Sequence, residues 1–238
     1  MMIKKMALYS LAGMGVLYTG LSFMSFNASG NQKIVYIDKP IYKEVVKYVS
    51  VGATLDNDQI DTLITYLNKF YPDDYNRVIN FYAGITGNKD VAETILKYCI
   101  KYHTPINLTF GMIRQESNFN PRAYNQNPSS IDRGLCMLNS KAFPTWRWRD
   151  FYNMDENAKA GISYFGYLLD RYKDNDLQDE LALSAYNEGI STIESDVIHF
   201  TTSIHVFKVK DFENQYTHEF NVEVLPEIDS SKIYRQNS

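Results

Sequence analysis

Cysteine is scarce in this chain: Cys99 and Cys136 are the two among 238 residues. They form no Cys-x-x-Cys or zinc-type spacing, which excludes a redox pair or a cysteine-built metal site. Both have apolar neighbours in sequence, so buried free thiols are expected. A single disulfide stays open as an alternative if the chain is exported. Excess positive charge is missing too. Lys and Arg number 24 against 28 Asp and Glu, a net charge of −4. With no basic stripe or motif, no nucleic-acid partner is expected. The histidines His103, His199, His205 and His218 lack metal-ligand spacing. No Gly-x-Ser-x-Gly segment offers a nucleophile for them to serve. No metal and no cofactor is therefore expected, and all four histidines read as structural or exposed. Internal repeats and low-complexity blocks are absent.

What is present is an ordinary globular composition, 45% apolar and 22% charged, enough to bury a core. Tyrosine is plentiful at 19 residues. It suits stacking on flat, hydroxylated ligands, but plain core and surface packing accounts for it as well. The one long apolar run lies at the N-terminus, where Lys4 and Lys5 lead into "MALYSLAGMGVLYTGLSFMSFNASG", uncharged until Lys33. A basic start followed by such a run reads as a membrane anchor or an export signal. Phe26 precedes Ala28 by two positions and Phe23 precedes Ser25, so no small-x-small cleavage site stands out. An uncleaved anchor over 1–28 is expected, lysines inward and the rest outside the cytoplasm, with secretion after cleavage as the alternative. Residues 29–54, β-branched, Tyr-rich and interrupted by Pro40, read as an extended spacer.

Helical periodicity begins with Ile60, Leu63, Ile64, Leu67 and Phe70, with Asp56 or Asp58 as cap and Pro72 as breaker. Tyr75, Val78, Ile79 and Tyr82 carry a second helix to Gly87, so 55–87 is a helical N-terminal extension. A third helix starts from Asn88 and stops before Pro105. Asn107 is the expected cap of a short helix ending near Glu116 and Ser117. From Asn118 to Arg149 the density of Asn, Pro, Ser and Gly predicts loop, with a hairpin around Ser130 to Leu138. Further helices are expected from Asp155, over 179–186, over 192–199 and over 203–220, then a loose tail over 221–238.

Glu116 lies at a helix end with Phe110, Met112, Ile113 and Phe119 nearby in sequence. Apolar burial and the negative end of a helix both disfavour a carboxylate, which is what a proton donor at neutral pH needs. A solvated helix-end glutamate is the plain alternative. Three further segments bear on the choice: "SSIDRGLCMLNS", "DENAKAGISYFGYLLDRYKD" and "ALSAYNEG", in that order after "RQESNFNPRAYN".

Taken together, these segments resemble the lysozyme-like lytic transglycosylases of the soluble-lytic-transglycosylase (SLT) type, over roughly Asn88 to Asp196. The resemblance implies an all-α, lysozyme-like domain over 88–220 with a small irregular loop and hairpin region, behind the N-terminal anchor helix. It implies peptidoglycan glycan strands as substrate and the cell envelope, outside the cytoplasmic membrane, as location. A role as a component of a cell-envelope machine is also open. It implies Glu116 as the catalytic acid and then base. Ser117 would bond the substrate, and Tyr186 and Asn187 would position Glu116 and the sugar. Two departures stand out. The family's Gly-Leu-Met-Gln reads Gly134-Leu135-Cys136-Met137, so Met137 takes the place of a polar sugar contact. Asp132 stands where animal-type lysozymes carry a second carboxylate, which would suit a hydrolase; a hairpin-turn residue capping its own backbone is the alternative. A decayed, wall-binding relative is the non-enzymatic reading. Trp146 and Trp148, in "FPTWRWRD", could rim a sugar or anionic-peptide site or pack the loop on the long helix.

Overall fold

The computed structural model describes residues 54–195 and 199–228. The chain enters α1 (Asn57–Phe70) through Asp56, whose carboxylate accepts from the Gln59 N–H while Gln59 Oε1 accepts from the Asp56 N–H. This reciprocal box selects Asp56 over Asp58. Pro72 opens α2 (Pro72–Thr86), at a position where a missing N–H costs nothing. Asn88 caps α3 (Lys89–Tyr102), as expected.

The start of α4 (Ile106–Ser117) differs from expectation. Asn107 is not its cap. It is buried within the first turn, accepting from the Tyr82 hydroxyl at 2.7 Å and donating to Asn57 and Thr217, each at 3.1 Å. The N–H of Ile106 goes instead to the carboxylate of Asp61 on α1. A distant acid replaces a local cap, and local sequence patterns carry no trace of that.

Next come β1 (Tyr124–Gln126), β2 (Ile131–Arg133) and β3 (Leu138–Asn139), an antiparallel sheet in that order. It is one strand larger than the expected hairpin. Asp132 sits in the middle strand, between Asn125 and Asn139. After a 3-10 turn at Asp150–Tyr152, Asn153 caps α5 (Met154–Arg171). Then follow α6 (Gln178–Glu188), α7 (Ile190–Glu194) and α8 (Phe200–Glu219). The short α7 covers only the first three residues of the helix expected over 192–199, of which 196–198 lie outside the described residues.

The blurred periodicity of α8 has a cause. It buries polar Thr202, His205 and Glu213 alongside Val206, Val209 and Tyr216, while Phe200, Ile204 and Phe207 are exposed. The tail expected from 221 starts later, because a π-helical turn (Phe220–Val224) and a 3-10 turn (Leu225–Glu227) bring Val224 and Ile228 into the core. The remainder of the tail, the anchor over 1–28 and nearly all of the spacer lie outside the described residues. Among the described residues no helix is long and apolar enough to cross a membrane.

The described part is mostly helical with little strand. One core joins Ile64 and Leu67 of α1, Tyr82 of α2, Ile95 of α3, Phe110 of α4, Phe165 of α5, Leu183 of α6 and Val209 of α8. Helices α4 and α8 run antiparallel. Asn107 meets Thr217, Arg114 Nη1 donates to the Tyr216 hydroxyl at 3.0 Å, and Glu116 meets His205. Between these contacts a Cβ on Gly111 would fall 2.8 Å from the Val209 carbonyl oxygen. Only glycine lets the two backbones approach this closely.

Candidate active site

Glu116 occupies the last turn of α4. Its Oε1 is shut off from solvent and has no hydrogen-bond partner among the described residues, and the side chain as a whole keeps 14% exposure. Burial, followed by the nearby charge of Asp132, pushes its pKa up to about 8. At neutral pH it is therefore a neutral carboxylic acid, able to give a proton. Immediately after the helix the backbone turns back through two left-handed residues, Asn118 (φ 50°) and Phe119 (φ 60°). Asparagine tolerates this region; phenylalanine pays roughly 1–2 kcal/mol. The turn places the Phe119 ring in the core, 6.1 Å from Phe110.

Asp132 does not cap its own backbone. Its Oδ2 accepts from Asn127 at 2.7 Å and from Asn125 at 3.3 Å, and its Oδ1 from Asn139 at 2.6 Å. Three neutral amides thus hold the carboxylate in one place. The sheet supplies two of them directly opposite, at the paired positions on β1 and β3.

The turn over Gly134–Met137 is pinned from three sides. Asn157 on α5 accepts from the Cys136 N–H at 2.8 Å and donates to the carbonyls of Arg133 and Phe151 at 3.1 and 3.0 Å. Gly161, one turn on, is met by Cys136: a Cβ there would lie 2.4 Å from Cys136 Cβ and 2.6 Å from its Sγ. Tyr186 on α6 donates its hydroxyl to the Cys136 carbonyl at 2.9 Å. Met137 leaves this turn with φ 46° and is half-buried. Gly161→Ala is expected to cost about 1–3 kcal/mol, because neither Cys136 nor the pinned turn can give way freely; thermal unfolding measures it. Tyr186→Phe is expected to cost about 1–2 kcal/mol by leaving the Cys136 carbonyl without this donor, with denaturant midpoints as the readout.

The structure brings Tyr186 and Cys136 together, and the Glu116 charge reaches both: it raises the thiol after burial, and the phenol after burial and Cys136. Other expected residues are placed differently. Ser117 turns its hydroxyl back to the Ile113 carbonyl at 3.2 Å. Asn187 accepts from Thr202 of α8 at 3.1 Å, and its neighbour Glu188 takes His199 at 2.9 Å. The two cysteines are free and buried, as read from the sequence. Trp146 packs on Phe143 and Phe151 at 4.6 and 5.2 Å, whereas Trp148 is 58% exposed with Arg149 over its ring. A cavity of about 570 Å³ lies elsewhere, bounded by Asp56, Asn57, Asp179, Lys210 and Glu213. No group of three or more His, Cys, Asp or Glu among the described residues is placed to hold a metal ion.

One neighbour was not legible. His205 is buried on α8, and its Nε2, also without a hydrogen-bond partner, lies 3.6 Å from Glu116 Oε1. The expectation that all four histidines are merely structural or exposed missed this approach. No motif links the two residues; only the packing of α8 on α4 does.

Residues 93–200 match the family described as the transglycosylase SLT domain. This segment is similar to an SLT domain. Its match takes in Glu116, the sheet with Asp132, the pinned turn, Tyr186 and Asn187, and ends where α8 begins. The mostly helical fold is consistent with it. Comparison with curated proteins found no match, and comparison with solved structures found none. The SLT domain thus enters as a match of 93–200, while α1, α2 and nearly all of α8 lie outside the matched residues.

Proposed function

We propose that this protein is a peptidoglycan lytic transglycosylase that cleaves the β-1,4 bond between N-acetylmuramic acid and N-acetylglucosamine. The observation that carries the reading is the buried, neutral carboxyl of Glu116 inside a segment that matches the SLT domain. Glu116 gives its proton to the glycosidic oxygen as the bond to the anomeric carbon breaks. The resulting carboxylate takes the proton of the muramoyl 6-hydroxyl as that oxygen closes on the anomeric carbon. A 1,6-anhydro end forms, water is not consumed, and one residue serves as acid and then base. The positive charge developing on the sugar favours the same carboxylate. Ser117 accepts a hydrogen bond from the substrate, Tyr186 fixes the turn that Met137 ends, and Asn187 ties α6 to α8 beside the sugar. Met137 offers an apolar contact where the family has an amide. The lysozyme-like domain spans 88–220, with 55–87 as its helical extension and peptidoglycan strands as its partner. The deciding experiment is mass spectrometry of the muropeptides released from purified sacculi: anhydro-muramoyl ends support the reading, and an absence of any cleavage removes it.

A second reading is favoured by Asp132. Its carboxylate is held by three amides and its charge reaches Glu116. Two carboxylates around one glycosidic bond is the arrangement of a hydrolase, here a muramidase. Reducing ends instead of anhydro ends distinguish it.

The location proposed is the outer face of the cytoplasmic membrane, held by the run over 1–28. The expected outcome is recovery in the membrane fraction with an unprocessed N-terminus. N-terminal sequencing is the check, and a mature start near Ser29 means a secreted enzyme.

A further inference from the structure

We propose that His205 is a positioning residue for Glu116: as a neutral imidazole carrying its hydrogen on Nε2, it donates to Glu116 Oε1 and so leaves Oε2 as the oxygen that gives and takes the proton. This rests on the reading of Glu116 as acid and base, but it concerns a residue beyond the matched segment.

The geometry is specific at both atoms. Glu116 Oε1 and His205 Nε2 are both buried, both lack a hydrogen-bond partner among the described residues, and they face each other at 3.6 Å. Two unpartnered polar atoms buried side by side are costly unless they satisfy each other. The gap is slightly long for a hydrogen bond, as catalytic contacts often are before substrate binds. The carboxyl is asymmetric. Oε2 makes no hydrogen bond to the described residues and is not among the buried unpartnered atoms, so it is the oxygen that keeps access to solvent. The same argument gives His205 Nδ1 contact with water. The tautomer with hydrogen on Nε2 then satisfies both nitrogens: Nδ1 accepts from water and Nε2 donates inward.

The approach is built into the fold. Gly111 admits the α8 backbone against α4, and the bonds from Asn107 to Thr217 and from Arg114 to Tyr216 fix the register of the two helices. With that register set, His205 falls opposite Glu116. Among the described residues the charged groups around the pair are few. Burial, and after it Lys208 on α8, hold His205 down to about 4, so it stays neutral through the working range. Asp132 on β2, Tyr186 on α6 and Cys136 in the turn face Glu116. Arg114 is engaged with Phe212 and Tyr216. A protonated histidine here would ionise Glu116 and leave no acid. A neutral donor does not. By donating from Nε2 it stabilises the negative charge that forms on Glu116 after the first proton transfer, through a bond that strengthens on ionisation. The base needed for the second step is thereby held in place, and His205 itself neither gains nor loses a proton.

The test is the titration of the Glu116 side-chain carboxyl by ¹³C NMR in the full chain, its signal assigned by its absence in Glu116→Gln. Two variants are compared, His205→Leu, which keeps bulk without a donor, and His205→Gln, which restores an N–H. The expected result is a rise of the Glu116 midpoint by about one pH unit in His205→Leu, with His205→Gln close to the wild type. On sacculi, kcat should fall about tenfold in His205→Leu with KM little changed, and His205→Gln should recover most of it. An unchanged Glu116 midpoint in His205→Leu overturns the proposal, as does equal loss of kcat in both variants. The NMR arm does not depend on the product formed. If the wild type releases no anhydro ends, the proposed function falls and the His205 result still stands or falls on its own titration.

Discussion

Glu116→Gln is expected to reduce glycan cleavage by about 10²–10⁴-fold, the usual contribution of a positioned acid–base group, while making the folded protein more stable at neutral and mildly alkaline pH. Both effects have one origin. Burial holds the carboxyl neutral up to a pKa of about 8, against 4.5 for the group in its ordinary state. Below pH 4.5 the carboxyl is protonated in both the folded and unfolded chain, and folding is not opposed. As pH rises from there, the unfolded chain ionises and the folded one does not, so stability falls until the folded carboxyl itself ionises near pH 8. The amide of glutamine has no such penalty. The melting difference between variant and wild type should be near zero at about pH 4, grow through about pH 5 to 8, and then level off. Its full size is on the order of a few kcal/mol, because a tenfold change in proton affinity corresponds to about 1.4 kcal/mol. Asp61, whose pKa burial likewise raises to about 8, titrates in both proteins and cancels in the difference. Scanning calorimetry of both proteins across pH checks the stability half, and release of soluble muropeptides checks the other. A melting difference that does not vary with pH would remove the basis for a buried, neutral acid.

The sequence carried the helices well where their signals are local. Asp56, Asn88 and the apolar positions of α1 to α3 stand in the structure as the pattern predicts, because caps and periodicity are short-range effects. It failed where a partner came from far along the chain. Asn107 looks like a cap beside Pro105, yet the Asp61 carboxylate takes that role and Asn107 becomes a buried link between α2, α1 and α8. The strand outside the expected hairpin, Tyr124–Gln126, was missed because three exposed polar and aromatic residues are too few to show alternation. Within the candidate site, the motif segments gave Glu116, Asp132 and Tyr186 their places in the order of the chain. They did not give Asn157 or Gly161, whose roles arise from contact with the Gly134–Met137 turn. Nor could they give His205, since α8 lacks a clean apolar face: it buries polar groups and exposes aromatic ones.

The sharpest division between the two mechanisms falls on Asp132. A transglycosylase needs no second carboxylate to activate water, because its nucleophile is the substrate's own hydroxyl. For it, Asp132→Asn is expected to slow turnover modestly, about tenfold or about 1.4 kcal/mol of barrier. Part of that loss is structural. In the wild type both oxygens of Asp132 accept from Asn127, Asn125 and Asn139, and an amide nitrogen in place of one oxygen would face donors. The Asn127 and Asn139 side chains can reverse their amides to repair much of this. The rest is electrostatic. With the Asp132 charge gone, Glu116 ionises more readily, so the alkaline limb of the rate profile should move to lower pH. A hydrolase uses Asp132 to attack the anomeric carbon or to stabilise its positive charge, and for it the same substitution should nearly silence turnover. The products differ independently of rate. Anhydro ends lack one water relative to reducing ends and resist borohydride, so mass spectrometry before and after reduction separates them. Anhydro muropeptides from wild type, and from an Asp132→Asn variant retaining about a tenth of the rate, are the expected pair of results. Reducible ends together with a silent Asp132→Asn protein would assign the site to a two-carboxylate muramidase, with Glu116 as acid in either case.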